Sequence, residues 1–237
     1  MGLFDIFNRK KKEREMRLKQ EAEKAKKENA LKAYLAIGEG QQQSVAEYTA
    51  VGCVFGSLVY KQDYNSLLEC LDKITLPEGR LIIEGIKPEV SRDKSLLLVE
   101  LPNGKFDENI FDYLQVEQSS MGAWQAYLLH TLWHSLPLFG HAIYNARDYM
   151  FAKEDIHAIK VFNEADRANI VKNISNIDFT PKIRESNGRY YISSCYWSNF
   201  YGLVREFSEI NIENNNVKDI VQFDEKTEYR YDCGIRF

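Results

Sequence analysis

The sequence predicts an α+β fold with an N-terminal basic helical arm, central helices with two strands, and a C-terminal antiparallel meander sheet. Three observations predict it. Residues 9–37 are rich in Lys, Glu, Ala and Leu and contain no Pro or Gly, as is typical of a helix. Residues 119–135 form a second long stretch with a helical pattern. The last third of the chain alternates apolar and polar residues between Asn-rich turns, which indicates hairpins.

The N-terminal helix is expected to end at residues 38–40, where two glycines interrupt the pattern. We therefore divide the chain into a basic amphipathic helical arm with its linker (1–40) and a single α+β globular domain (41–237). Four apolar residues near the end of the arm are expected to dock on the domain: Leu31, Tyr34, Leu35 and Ile37.

The first part of the domain, residues 41–175, is rich in predicted helices. A helix is expected to begin at Ser44, because Ser44 and Glu47 match a capping box. The apolar spacing and capping residues predict further helices at 64–74 and 109–115. Two apolar runs between these helices predict strands at 80–86 and 95–101.

The central helix is predicted to run from residue 119 or 120 to about 135, before Pro137. Its pattern predicts one side made of Met121, Trp124, Leu128 and Leu132, and an opposite side made of Ala123, Tyr127, His130 and His134. A short strand at 149–151 and a helix over 153–174, broken near Phe162, are expected to follow.

The C-terminal part, residues 176–237, is predicted to be an antiparallel sheet. Asn187-Gly188 is a strong hairpin signal, and Asn214-Asn215-Asn216 marks a second tight turn. A third turn is expected at 224–227, ahead of a perfectly alternating final strand. The five predicted strands are 177–184, 189–197, 203–212, 217–223 and 229–237.

The charge is distributed unevenly along the chain. The net charge is −4, but residues 1–32 carry 11 Lys and Arg against 6 Asp and Glu. The remaining residues carry 20 against 29, a net charge of −9. An acidic body argues against nucleic-acid binding, which needs clustered cations. The four cysteines are widely spread without a CxxC pair, which indicates reduced thiols and a cytoplasmic protein.

The N-terminal tip combines apolar and basic residues. We expect it to contact either an anionic membrane, at its inner face, or a partner protein. The candidate contact residues are Leu3, Phe4, Phe7, Lys10, Lys11 and Lys12.

A histidine cluster suggests a metal site. Histidines four residues apart on a helix can bind one ion, and a third histidine with an acidic residue would complete the ligand set for zinc or another transition metal. The candidate ligands are His130, His134, His141, Asp148 and Asp155. Thr131 stands where an HExxH motif has its glutamate. The alternative is that these histidines hydrogen-bond at the edge of a packed helix.

Aromatic residues cluster in the predicted sheet. Tyr190, Tyr196 and Arg205 are candidates for a protein interface if their face of the sheet is exposed, because Tyr and Arg often anchor interfaces. The alternative is ordinary cross-strand aromatic pairing in the core.

These observations favour a cytoplasmic, non-enzymatic protein-binding module of the adaptor, inhibitor or immunity type, without a cofactor and tethered by its basic helix. No P-loop, GxGxxG or GxSxG motif is present. The alternative is a metal-dependent hydrolase that uses the histidines at 130–141. A third hypothesis is a site for a small apolar ligand, lined by Trp124, Tyr127 and Trp133.

Overall fold

The computed structural model describes residues 3–37, 46–61, 66–84, 96–107, 109–135, 147–231 and 233–234. The side chains of residues 3–10, 59–61, 80–84, 96–97 and 133–135 lie outside this description. Among the described residues, no helix is both long enough and apolar enough to cross a membrane.

Four α-helices and ten strands make up the regular structure of the described residues. The helices are α1 (Leu3–Ile37), α2 (Ala46–Lys61), α3 (Ser120–Ser135) and α4 (Arg167–Ile174). The strands are β1 (Ile74–Thr75), β2 (Arg80–Glu84), β3 (Leu96–Glu100), β4 (Phe106–Asp107), β5 (Gln115–Val116), β6 (Asp148–Met150), β7 (Lys182–Ser186), β8 (Arg189–Ser198), β9 (Gly202–Glu213) and β10 (Asn216–Tyr229). This confirms the predicted α+β fold.

Tight turns create the main sheet. Asn187 and Gly188 have φ of 52° and 72°, and their two-residue loop joins β7 to β8. Asn214 and Asn215, with φ of 52° and 61°, join β9 to β10 in the same way. Asn and Gly adopt positive φ at low cost, and such loops match the twist of the paired strands. Both predicted hairpins are therefore confirmed.

The main sheet has five antiparallel strands. β10, β9 and β8 are neighbours in that order, and β6 and β7 lie end to end along the other side of β8. A three-stranded sheet (β2, β3, β4) and a two-stranded sheet (β1, β5) accompany it. The short strand β6 is therefore the fifth strand of the sheet, and it pairs with β8 on the side away from β9 and β10.

The sheet is covered on both faces. Helix α3 packs on one face, where Tyr190, Ile192 and Ile210 belong to the core cluster that contains the helix. On the opposite face, the C-terminal end of α1 packs on Tyr191 and Phe223. The same face also carries a second cluster, made of Met150, Ile156, Ile159, Val161, Ile170, Ile174, Phe179, Cys195, Trp197 and Leu203.

Several predictions of secondary structure were wrong. β10 continues to Tyr229 through three register shifts, so the turn expected at 224–227 is absent, and the described residues that follow (230, 231, 233 and 234) form no strand. Residues 235–237 lie outside the described residues. The helices expected at 64–74 and 109–115 are reduced to the 3-10 turns Leu68–Cys70 and Ile110–Asp112. Each is followed closely by a strand, and the two strands, β1 and β5, pair with each other.

The predicted two-sided character of α3 was also wrong. Residues 122–129 and 131–132 are all buried, including Gln125 and Thr131, because the helix lies between α2, the small strands and the main sheet. The stretch 153–174 is likewise not one helix. It forms the 3-10 turns Lys153–His157 and Glu164–Asp166 before α4 begins.

Glycines in α2 allow close packing. A Cβ atom at Gly52 would lie 2.7 Å from Cγ of Phe151, whereas one at Gly56 would lie 3.7 Å from Cε2 of the same ring. The first distance requires the ring to move, while the second is an ordinary contact. Close packing of α2 is therefore found at Gly52.

We expect Gly52→Ala to lower the free energy of unfolding by about 1–3 kcal/mol, because it overpacks the contact with Phe151. The matched control Gly56→Ala should raise stability by about 0.5–1 kcal/mol, the usual gain when Ala replaces a helical Gly. Urea unfolding monitored by circular dichroism measures both. Equal effects of the two substitutions would contradict this account of the packing.

Candidate functional site

The structure describes only part of the predicted metal site. His130 is half-buried, and its ring centre lies 6.4 Å from that of Phe111. Burial, together with the nearby Arg147, lowers the pKa of His130. The side chain of His134 and all of His141 lie outside the described residues.

The two candidate acidic ligands hold backbone amides. Asp148 Oδ2 accepts a hydrogen bond from the amide of Lys160 at 3.0 Å. Asp155 Oδ2 accepts from the amides of Phe151 and Ala152, at 2.7 and 2.9 Å. Within the described part of the chain, no group of three His, Cys, Asp or Glu side chains is arranged to bind a metal ion. The metal hypothesis therefore remains a prediction that depends on His134 and His141.

The condition for the predicted aromatic interface is not met. Tyr190 and Tyr196 are each only 1% exposed, because α3 and its neighbours cover their face of the sheet. Arg205 is engaged within the fold. Its Nε donates to Glu228 at 3.1 Å, and its Nη2 donates to the carbonyl of Asp178. Tyr190 and Tyr196 therefore pack across strands in the core, which is the alternative interpretation of these aromatic residues.

The remaining candidates divide between core and surface. Trp124 and Tyr127 are fully buried and stacked on each other at 5.4 Å, so they form core rather than the wall of a ligand site. The side chain of Trp133 lies outside the described residues. Lys11 and Lys12 are exposed on α1. The side chains of Leu3, Phe4, Phe7 and Lys10 are not among those described.

A buried polar network around Glu206 joins α3 to the sheet. The Tyr127 hydroxyl donates to Glu206 Oε1 at 2.5 Å and is also hydrogen-bonded to the hydroxyl of Ser194. Arg147 Nη1 donates to Glu206 Oε2 at 2.7 Å, and the Tyr149 hydroxyl donates to Oε1 at 3.4 Å. The Glu206 side chain is only 4% exposed. Both of its oxygens are therefore paired without solvent.

The network extends to the surface through a second carboxylate. Arg147 Nη2 donates to Glu225 Oε1 at 3.3 Å, and its guanidinium lies 4.4 Å from the centre of the Tyr196 ring. The Tyr196 hydroxyl and the Gln222 amide also donate to Glu225 Oε1, at 3.0 and 2.5 Å. Arg147 therefore connects a buried carboxylate with an exposed one.

Burial dominates the electrostatics of this network. Desolvation raises the pKa of Glu206, although Tyr127 and Arg147 stabilise its charged form. Desolvation, with the charge of Glu206, also raises the pKa of Tyr127 and of Tyr149 well above the ordinary value. The tyrosines therefore remain neutral donors, and their hydrogen bonds join α3 to the sheet.

Sequence reasoning missed this network, because its members are scattered over a hundred residues. One signal was available. In the predicted strand 203–212, Glu206 shares a face with the apolar residues Val204 and Ile210. A carboxylate on an otherwise apolar face is expected to have a buried partner.

The opposite face of the sheet holds a cavity beneath α1. It has a volume of about 370 Å³ and is lined by Lys26, Asn29, Ala30, Ala33, Arg189, Tyr191, Glu209, Asp219 and Val221. Ion pairs join the charged lining residues. Lys26 Nζ lies 2.6 Å from Asp219 Oδ2, and Arg189 pairs with Glu209.

Comparison of the chain with protein-family models, with curated proteins and with solved structures finds no match in any of the three.

We expect the free energy of unfolding of Glu206→Gln to lie within about 1 kcal/mol of the wild-type value at pH 7, because the raised pKa of Glu206 means that the fold favours the neutral group. As the pH rises from the ordinary value of 4.5 through the raised pKa, the folded wild type binds more protons than the unfolded chain. Its free energy of unfolding should therefore fall over this range relative to that of the Gln variant. Urea titrations between about pH 4 and 8 measure the difference.

The matched variant Glu206→Leu removes every acceptor from the network. Its free energy of unfolding should be lower than that of the wild type by about 3–5 kcal/mol, because Arg147 and Tyr127 lose their buried partner. The opposite result is that the free energy of unfolding of the wild type rises with pH relative to that of Glu206→Gln. It would show that Arg147 outweighs desolvation and that the assigned direction of the pKa shift is wrong.

Proposed function

We propose that this protein is a cytoplasmic, non-enzymatic protein-binding module of the adaptor, inhibitor or immunity type, and that α1 is the element that contacts its partner. One observation carries the proposal. The helix has 35 residues, about 52 Å at 1.5 Å per residue, and its residues 11–29 are all exposed while its C-terminal end docks on the sheet.

The exposed part of α1 is mostly polar, with Met16 and Leu18 as its exposed large apolar side chains, and it is supported by its own ion pairs. Four pairs are spaced four residues apart along this part: Lys11–Glu15, Arg17–Glu21, Glu23–Lys27 and Lys24–Glu28. A helix that is polar all round and rich in such pairs is typical of an element that bridges two bodies. This composition therefore supports a role as a spacer with a partner beyond it.

The base of the helix is held firmly on the sheet. The Tyr34 ring packs against Phe207 and Phe223, with ring centres 5.5 and 5.7 Å apart, and Ala30 is 3% exposed. Leu35, which we expected to dock, is 67% exposed. An aromatic anchor at one end gives the helix a defined direction relative to the body, as a spacer requires.

The N-terminal tip is where we place the partner. The net charge of +5 over residues 1–32 contrasts with the acidic body, so the partner surface that fits the tip is acidic. An anionic membrane at the inner face would satisfy the same chemistry, with Lys11 and Lys12 near the headgroups. We favour the protein partner, and the membrane is the alternative that the experiment distinguishes.

A second contact is proposed at the end of the β8–β9 hairpin. Tyr201 is 55% exposed and Phe162 is 46% exposed. Both lie beside Asn199, whose side chain accepts a hydrogen bond from the amide of Phe162. Tyr201 is the exposed member of the aromatic residues between 190 and 201, so we place the aromatic part of the proposed interface at this turn rather than at Tyr190 and Tyr196.

We expect Ala22→Pro to abolish partner binding, because proline kinks the exposed helix at a cost of about 3 kcal/mol and redirects its tip. Ala22 is exposed and lies outside the docked segment, so the unfolding midpoint of the body should not change. The matched control Ala22→Ser keeps the helix straight and should retain binding. Quantitative crosslinking of full-length protein in native cells compares the three.

Vesicle sedimentation separates the two kinds of partner. In the double variant Lys11→Glu/Lys12→Glu, loss of sedimentation with anionic vesicles, after clear binding by the wild type, would favour the membrane. A crosslinked protein that Ala22→Pro retains in full would show that the partner binds the body and would overturn the role of α1.

A further inference from the structure

The cavity beneath α1 results from small side chains on the helix face that is turned to the sheet. Four of its lining residues follow the i, i+3, i+4, i+7 spacing of one helix face: Lys26, Asn29, Ala30 and Ala33. Ala30 and Ala33 project only methyl groups, whereas the next residue, Tyr34, reaches the aromatic rings of the sheet. The docked helix therefore leaves a space of about 370 Å³ that its own side chains do not fill.

The sheet side of the cavity carries a buried carboxylate. Glu209 in β9 lines the cavity and is only 5% exposed. It accepts hydrogen bonds from Arg189 Nη1 and from the Tyr191 hydroxyl. Burial, followed by the charge of Glu209, raises the pKa of Tyr191 to about 12, so this tyrosine is a neutral donor at neutral pH. A carboxylate has about four acceptor positions, and these two donors leave part of that capacity to a ligand.

A second ion pair crosses the cavity from the helix to the sheet. Lys26 Nζ lies 2.6 Å from Asp219 Oδ2, and the two side chains are 59% and 39% exposed. Among the described residues, Lys26 uses one of its three N–H donors in this way, and Arg189 uses one of its five for Glu209. Both cations therefore retain donors that a bound molecule can use.

The charged groups of the cavity balance each other. It is lined by two cations and two carboxylates: Lys26, Arg189, Glu209 and Asp219. A ligand with one charge is attracted by one half of this set and repelled by the other half, whereas a ligand with both charges pairs with each half. The volume lies at the lower end of the range for small-molecule sites, so the ligand that fits is small.

We propose that the cavity binds a small zwitterion of the α-amino acid class. Its carboxylate takes the spare donors of Lys26 and Arg189, and its ammonium group donates to Glu209 and Asp219. Its side chain packs on Val221 and on the apolar wall that α1 supplies. The site goes beyond the protein-binding function and does not depend on it.

The test measures thermal unfolding of the full-length protein at neutral pH with L-leucine or with two analogues that each carry one of its charges. L-leucinamide keeps the ammonium group and lacks the carboxylate, whereas 4-methylpentanoate keeps the carboxylate and lacks the ammonium group. Sodium chloride equalises the ionic strength. We expect L-leucine to raise the unfolding midpoint of the wild type by about 2–4 °C, because it binds only the folded state, and each analogue to raise it by less than about 1 °C. The rise should saturate with concentration, which distinguishes binding from the solvent effect of an osmolyte.

A matched pair of alanine substitutions locates the binding. Ala33→Leu fills the cavity from the helix side, so the response to L-leucine should disappear. Ala22→Leu adds the same atoms on the exposed part of α1, outside the cavity, and should keep the full response. Leucine is a strong helix former, so both variants should fold, and circular dichroism verifies this.

A matched pair of aspartate substitutions tests the charges. Asp219→Asn removes a carboxylate of the cavity and should lower the affinity for L-leucine about tenfold, since a charge-assisted hydrogen bond becomes a neutral one. Asp224→Asn changes an exposed aspartate of the same strand, outside the cavity, and should leave the affinity unchanged. The affinities follow from the unfolding midpoint as a function of the L-leucine concentration.

Any of three results would overturn the proposal. L-leucine gives no saturable rise in the wild type, Ala33→Leu responds as strongly as the wild type, or the analogues with one charge stabilise the protein as much as L-leucine does. Ala22→Pro separates this proposal from the first, because residue 22 precedes the residues of α1 that line the cavity. Loss of partner binding in that variant with an intact response to L-leucine would show that the two functions are independent.

Discussion

The burial of α3 on all sides is the constraint on which the rest of the fold depends. A helix enclosed in this way can carry polar groups only where each has a specific partner. Gln125 meets this condition by accepting from the Lys73 amide and donating to Asp72, and the Trp124 indole donates to the carbonyl of Tyr48. Tyr127 meets it through Glu206. These bonds fix the rotation of the helix relative to the elements around it.

Local signals predicted the parts of the fold that local chemistry determines. The Asn187-Gly188 hairpin follows from two residues that accept positive φ, and the sequence shows them directly. The extent of β10 does not follow from such a rule. Residues 224–227 look like a turn, but pairing with the long strand β9 continues through them by means of bulges. Long-range pairing therefore overrode a local preference, and it extended β10 to Tyr229.

The same difference between local and long-range determinants explains which candidate sites could be found from the sequence. The histidine spacing at 130–134 is a local pattern, so it was noticed, although such spacing arises on many helices. The Glu206 network combines residues from α3, β6, β8, β9 and β10 with Arg147, which directly precedes β6. No spacing along the chain encodes that arrangement. Only the position of Glu206 on an apolar face of β9 indicated that a buried partner exists.

The two faces of the sheet differ in how their charges are satisfied. On the α3 face, the buried carboxylate is saturated by its own chain, so that face holds the fold together. On the α1 face, the Tyr34 ring packs against Phe207 and Phe223 and lies 4.2 Å from the guanidinium carbon of Arg184. Docking of α1 therefore depends on aromatic packing around one side chain, whereas α3 is held by hydrogen bonds to a buried carboxylate.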